Sequence, residues 1–438
     1  MVLFENLWWL LVLIGVMILI HELGHYWAAR FFDVRVETFS FGFGPRLFGF
    51  RKGETDFRFS LVLFGGYVKM SGEQPGEETT DPRGFLSKPR WQRLIIALAG
   101  PAMNIVLAVA LLTGLFMVRY PKSPDSGAAV IGYVIPDSPA AKAGLKEGDR
   151  FVRLDNLENP RWEDILIKEV SSARQPLTVV VERGGRQLPP VIVTPAFDER
   201  NGIGQAGWIE QSEIQIGAII EGMDAERKGL KPGDIILALN GQPIRSAARL
   251  HEIIRASGGK PVEILYSRDG RQSTVTVEPK YTDMDGQPRW MIGIQPEPRY
   301  ILTQLPFHQA LSESLRQNVK SAGLIFKFLR GIVERRMSPK TLEGPIGIAR
   351  LSGAAAREGA AAFIGLMAMV SLNLAIFNLL PIPILDGGVI LLLVVEMIMR
   401  RDLSLQVKEA VFKLGFVFLM AVVVFVLYND ISKILPPG

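Results

Sequence analysis

Four stretches of this chain stay apolar for too long to belong to ordinary surface helices. From Asn6 to Ile20 no residue is charged, and Leu94 to Val118 is uncharged between Arg93 and Arg119. Gly359 to Leu385 is uncharged up to Asp386, and Leu414 to Tyr428 is uncharged and extended by Val411 and Phe412. Each can cross, or nearly cross, roughly 30 Å of hydrocarbon at about 1.5 Å per residue. The pattern predicts a membrane α-helical protein with four transmembrane helices, in segments 1–32, 91–120, 356–400 and 407–430. In the intervening loop, 33–90, the runs Phe39–Gly44 and Phe57–Leu63 alternate with period two around a polar turn at Arg51–Glu54. That alternation predicts a membrane-associated β-hairpin or small sheet.

The long segment between the second and third spans contains a repeat. Ala143–Asp155 aligns with Lys228–Asn240 at an offset of 85 residues. Each copy is a glycine-punctuated turn feeding an apolar strand, which predicts two external α+β domains at 126–203 and 206–281. The pattern resembles bacterial PDZ domains, which bind extended peptide by strand addition. Gly222-Met-Asp-Ala-Glu-Arg227 stands where the first copy has Pro136-Asp-Ser-Pro-Ala-Ala141, so the two grooves are expected to differ. Spacing or steric bulk without peptide binding remains the plainer role. From Gln309 to Arg336, within a linker at 300–355, Leu311, Leu315, Val319, Phe326, Leu329 and Val333 recur near helical spacing among Lys and Arg. Helices lying at the membrane face are expected there.

Composition refines this picture. The chain is 48% hydrophobic, with mean hydropathy +0.22, as expected for several spans plus a water-soluble portion. Its net charge of +5 reads as basic loops at a lipid surface; no basic cluster interleaved with aromatics suggests nucleic acid. There is no Cys, so thiolate ligands and Cys nucleophiles are excluded. No Lys or Arg precedes Arg30, so the basic start of a cleavable signal peptide is lacking and the first span is expected to be retained. Arg30, Arg35, Lys88, Arg90 and Arg93 flank the first loop, and Arg400, Arg401, Lys408 and Lys413 the last. The positive-inside rule then puts both loops in the cytoplasm, and both termini and the repeats outside. His21 and Asp386 would meet at one depth, near the cytoplasmic side.

The first span ends in His21-Glu22-Leu23-Gly24-His25. Two His at i and i+4 share a helix face and can grip one metal ion, with Glu22 beside the open position where it can take a proton from water. A catalytic zinc normally has a third protein ligand, and the candidate is Asp386, since a carboxylate closing an apolar run is costly in lipid. A helix-terminal Asp at the headgroup boundary is the plainer alternative. Pro381 and Pro383 break the span just before it and free backbone groups that must line protein or a cavity. Asn378 is placed either to hydrogen-bond substrate or to glue helices together. Substrate is expected to lie extended between this broken segment and an edge strand, 57–63, that carries Phe57, Phe59 and Leu61. His251 and His308 lack metal-ligand spacing.

His-Glu-Leu-Gly-His in a first span, followed by Asn378-Leu-Leu-Pro-Ile-Pro-Ile-Leu-Asp-Gly387, resembles the site-2 protease family of intramembrane zinc metalloproteases. Gly100-Pro-Ala-Met-Asn104 and Gly344-Pro-Ile-Gly-Ile-Ala349 are similar to that family as well. The resemblance implies one Zn2+ held by His21, His25 and Asp386, with Glu22 as general acid and base. It also implies a reentrant β-loop beside the site, and external domains that exclude substrates with bulky external parts. The implied setting is the bacterial inner membrane, with the repeats periplasmic. The implied partners are the bilayer and single-span membrane proteins, such as pre-trimmed anti-sigma factors or leftover signal peptides. Two other readings are a membrane-anchored PDZ adaptor without protease activity, and a membrane zincin acting on soluble or unfolded chains through a Glu ligand.

Overall fold

The computed structural model describes residues 2–73, 81–118, 120–122, 127–198, 202–283, 288–334 and 337–434. The expected boundaries at 119, 126 and 336 lie outside the described residues. In chain order the helices are α1 (Val2–Phe31), α2 (Arg90–Met117), α3 (Pro139–Lys142), α4 (Trp162–Ser171), α5 (Asp224–Arg227) and α6 (Ala247–Ala256). They continue as α7 (Phe307–Val333), α8 (Pro345–Glu358), α9 (Ala360–Leu379), α10 (Asp386–Met399) and α11 (Leu405–Ile434). The chain divides into two compact units, 1–120 with 303–329 and 342–438, and 121–302 with 330–341.

In the first unit α1, α2, α9 and α11 are long and apolar enough to cross a membrane. The two N-terminal spans pack closely because Gly24 has no side chain: a Cβ there would overlap the Ala99 carbonyl of α2. The expected segment 356–400 is a helix, a turn and a second helix. Pro381 and Pro383 supply no N–H, so α9 stops at Leu379, and α10 begins at Asp386. Gly387 and Gly388 let its first turn nest against the carbonyls of Leu380 and Ile382. The expected interfacial stretch is one 27-residue helix, α7.

The hairpin is longer and more folded than its alternation predicts. Its strands are β1 (Val36–Lys52) and β2 (Thr55–Met70), bent at Gly42, Gly44 and Gly65, all at positive φ. Phe39 is paired with both Phe57 and Val68, Ser40 with both Arg58 and Tyr67, and Phe57 with both Phe39 and Phe50. The rungs therefore lie in the order 46–52, 55–60, 38–41, 66–70. This corrects the expectation that 57–63 is an edge strand: Phe57 and Phe59 sit inside the sheet, and its outer rungs are 46–52 and 66–70.

The second unit repeats one design. Arg183 holds the buried Asp149 at 2.6 Å and Arg268 holds the buried Asp234 at 2.6 Å, 85 residues on. Asp155 and Asn240, both at positive φ, accept the N–H of Thr178 and Glu263 respectively. The first copy packs Ile131, Phe151, Leu154, Ile165, Val179 and Trp208; the second packs Ile216, Ile236, Leu239, Leu250, Ile264 and Ile294. In the second, the sheet runs Arg271–Val277, Val262–Arg268, Ile235–Leu239, Ile214–Ile219, Ile294–Pro298. At one buried position a carboxylate in the first copy stands where the second has an apolar residue. Glu169 of α4 accepts the Ala206 N–H at 2.6 Å and Trp208 Nε1 at 2.7 Å, whereas the equivalent residue of α6, Ile254, is plain core.

Candidate metal centre

His21 and His25 come from consecutive turns of α1 and are 7% and 9% exposed. Asp386 opens α10, where the positive end of the helix favours a carboxylate. Their donor atoms converge: His21 Nε2 lies 3.2 Å from His25 Nε2 and 3.1 Å from Asp386 Oδ2, and His25 Nε2 lies 3.4 Å from Asp386 Oδ1. Tetrahedral zinc with bonds of about 2.0–2.1 Å sets its ligand atoms about 3.3–3.4 Å apart. The triangle fits that ion. Asp386 Oδ2 is also a buried oxygen without a hydrogen-bond partner, as a ligand atom reserved for a cation would be.

The surrounding residues hold these groups in place. His25 Nδ1 donates to the Ile96 carbonyl at 2.8 Å, which leaves its Nε2 lone pair pointing into the site. Gly100 makes room for both rings, since a Cβ there would overlap His25 Nε2. Glu22 packs beside Gly66, with the backbone of Val68 in the outer rung close to its carboxylate. Asn378 at the end of α9 brings its amide 3.5 Å from His21 Nε2.

A cavity of about 510 Å³ opens on the centre, lined by His21, Glu22, His25 and Asp386 together with Gly66, Tyr67, Val68, Met70 and Ile384. Of the remaining expected residues, Phe57 stacks on Phe50 within the sheet, and Phe59 and Leu61 are exposed; none of the three lines the cavity. Pro381 and Pro383 shape the turn but do not line it either, and Pro383 packs against Gly415 of α11.

Several lining residues escape sequence reading. Ile384 has φ 87, a strained conformation for a β-branched residue, two positions before Asp386. At the cavity's other end Glu396, 1% exposed, meets Lys408 Nζ at 2.7 Å and accepts the Leu403 N–H. Arg93 lies 4.0 Å from it, also buried. One signal was available for Glu396: an acid set in the apolar run from Val389 to Met399.

The chain matches peptidase family M50 over residues 9–422. A Xylella fastidiosa protein provisionally named a zinc metalloprotease is 32% identical over 98% of this chain and 99% of its own length. The regulator of sigma-E protease RseP of Salmonella typhimurium is 30% identical over 98% of this chain and 99% of its own. RseP of Escherichia coli is 29% identical over 97% and 98% respectively.

Proposed function

This chain belongs to peptidase family M50 and is a zinc metalloendopeptidase of the site-2 type, and from that premise we propose that it cleaves the transmembrane segment of single-span membrane proteins. The observation that carries this reading is the donor triangle of His21, His25 and Asp386, two of them on α1, which is long and apolar enough to cross a membrane. These three residues are the proposed zinc ligands. Zinc, when bound, supplies a Lewis acid that polarises the scissile carbonyl and makes water acidic near neutral pH. Glu22 takes the proton of the attacking water and passes it to the leaving amine.

A helical substrate hides its peptide bonds, so it must be drawn out before it is cut. Each backbone group left unsatisfied in lipid costs several kcal/mol. The outer rung 66–70 borders Glu22 and offers the main-chain groups of Gly66 and Val68 to an added strand. Asn378 can hold the same strand from the opposite side through its amide.

The two repeats are read as PDZ domains that govern which substrates approach. Glu169 sets a carboxylate against the Ala206–Trp208 loop of the first, closing the place a peptide's end would take. The second keeps a cavity of about 750 Å³ lined by His251, Arg255, Arg289 and Trp290. Basic residues around the two loops favour a bacterial inner-membrane orientation with both termini and the repeats periplasmic and the zinc near the cytoplasmic side. A pre-trimmed anti-sigma factor, as the name of the RseP relatives suggests, is the leading substrate class.

The test is co-expression with a panel of tagged single-span proteins. Glu22→Gln is expected to retain zinc and lose cleavage by orders of magnitude. Near-normal cleavage by Glu22→Gln, or zinc retained by a His21→Ala/His25→Ala double variant, removes the reading.

A further inference from the structure

We infer that Asn104 is a positioning residue: its side-chain oxygen accepts a hydrogen bond from His21 Nδ1–H and so turns the lone pair of His21 Nε2 into the metal site. This rests on the reading of His21, His25 and Asp386 as the zinc ligands.

Asn104 is fully buried in α2, and its amide lies 3.2 Å from His21 Nδ1. No other side chain contacts that ring nitrogen among the hydrogen bonds of the described residues. The amide can present either end to it, because a half-turn about χ2 exchanges oxygen and nitrogen in the same space. With Nδ2 toward the ring, Nδ1 must be the acceptor and the His21 proton sits on Nε2. That proton would point at His25 Nε2, 3.2 Å away, and occupy the position a ligand needs for its lone pair. With Oδ1 toward the ring, Nδ1–H donates and Nε2 is free to ligate.

The second ligand supports this choice. His25 already has the required tautomer, because Ile96 offers only a carbonyl to its Nδ1. Ile96, Gly100 and Asn104 stand at i, i+4 and i+8 on one face of α2. The first fixes one imidazole, the second leaves space for both, and the third fixes the other. The Asn104 carbonyl is itself tied to Ser371 Oγ of α9 at 2.9 Å, so the anchor is held against the helix that leads to Asp386. Orienting partners of this kind are typically worth ~10–100-fold in metal affinity.

The experiment uses the purified full-length protein in detergent, with the zinc Kd read by chelator competition. Asn104→Leu is expected to weaken zinc binding ~10–100-fold. Asn104→Asp, which can only accept from Nδ1–H, is expected to bind within a few-fold of wild type. With only four His in the chain, ¹⁵N-histidine labelling gives a second readout. In the metal-free protein, wild type and Asn104→Asp should show His21 as the Nδ1–H tautomer, and Asn104→Leu should show a substantial Nε2–H fraction. An Asp variant that loses as much affinity as Leu would make Asn104 a donor and overturn the inference. A Leu variant that melts lower but keeps the wild-type Kd would reduce Asn104 to packing. Zinc retained by His21→Ala/His25→Ala would instead remove the ligand assignment itself.

Discussion

Asp430 of α11 accepts the N–H of Gly344 at 2.9 Å, across 86 residues of chain. Its second oxygen takes the N–H groups of Ile346 and Gly347 at 2.9 and 3.1 Å. One buried carboxylate from the last span therefore caps the first turn of α8, where orphan donors and the helix dipole both favour an anion. Gly344 is required by this contact, since a Cβ there would lie 2.6 Å from Asp430 Oδ2. The Gly-Pro-Ile-Gly motif thus serves packing of α11 against α8. Asp430→Ala orphans three donors and is expected to cost about 2–4 kcal/mol. Thermal unfolding in detergent should register it, with Asp430→Asn falling between that variant and wild type. An unchanged melting temperature for Asp430→Ala would contradict the cap.

Gly100→Ala is expected to lower zinc affinity at least ~10-fold, because the added methyl meets the ligating edge of both imidazoles. Gly114, on the same helix, is the control: a Cβ there has nothing within 4 Å. Gly114→Ala should leave zinc unchanged and add up to about 1 kcal/mol of helix stability. Equal zinc binding in the two variants would mean that the rings can shift without loss.

Glu169 gives a pH dependence with a defined sign. Burial pushes its carboxyl above the usual range, partly held back by the N–H groups of Ala206, Trp208 and Gly207. A raised acid keeps its contribution below the unfolded pKa of about 4.3 and loses it as the pH rises through the folded value. Glu169→Ala leaves the Ala206 and Trp208 donors unpaired, at about 1–3 kcal/mol each. The deficit of the variant should therefore be largest near pH 4 and shrink toward neutrality, measured by unfolding of the full chain. A deficit that grows with pH would reverse the assignment.

The convergence of His21, His25 and Asp386 was legible in the sequence because each breaks a rule locally: paired His on one helix face, and a carboxylate at the end of an apolar run. The repeat was legible because Asp149 and Asp234 recur with their flanking glycines. The layout of the β-sheet was not. Period two identifies strands but carries no information about which strand is outermost, so Phe57 and Phe59 were expected at an edge that Gly66 to Met70 occupy. The Glu396–Lys408 pair was equally hidden, since α10 and α11 meet there only through tertiary packing.

The sheet layout also changes how substrate capture is tested. Rung 66–70 is paired with rung 38–41 alone, and Val68 lies beside the Glu22 carboxylate, so its free side is where a substrate strand would add. Val68→Pro removes the Val68 N–H while leaving the pairs of Phe39 and Phe57 in place. It is expected to abolish cleavage of a strongly helical substrate with zinc content and melting temperature nearly intact. Phe57→Pro, by contrast, strikes a strand paired on both sides and should lower the melting temperature itself. Loss in Val68→Pro could also arise from a disturbed Glu22 beside it, and the substrate separates the two causes. Helix-breaking residues in the substrate span leave less unwinding to be driven, so they should restore cleavage by Val68→Pro at least several-fold if the rung holds the unwound strand. They should do nothing if the defect lies in proton transfer by Glu22. A Val68→Pro enzyme that cuts helical and helix-broken substrates at the wild-type rate would leave the 66–70 rung as packing alone.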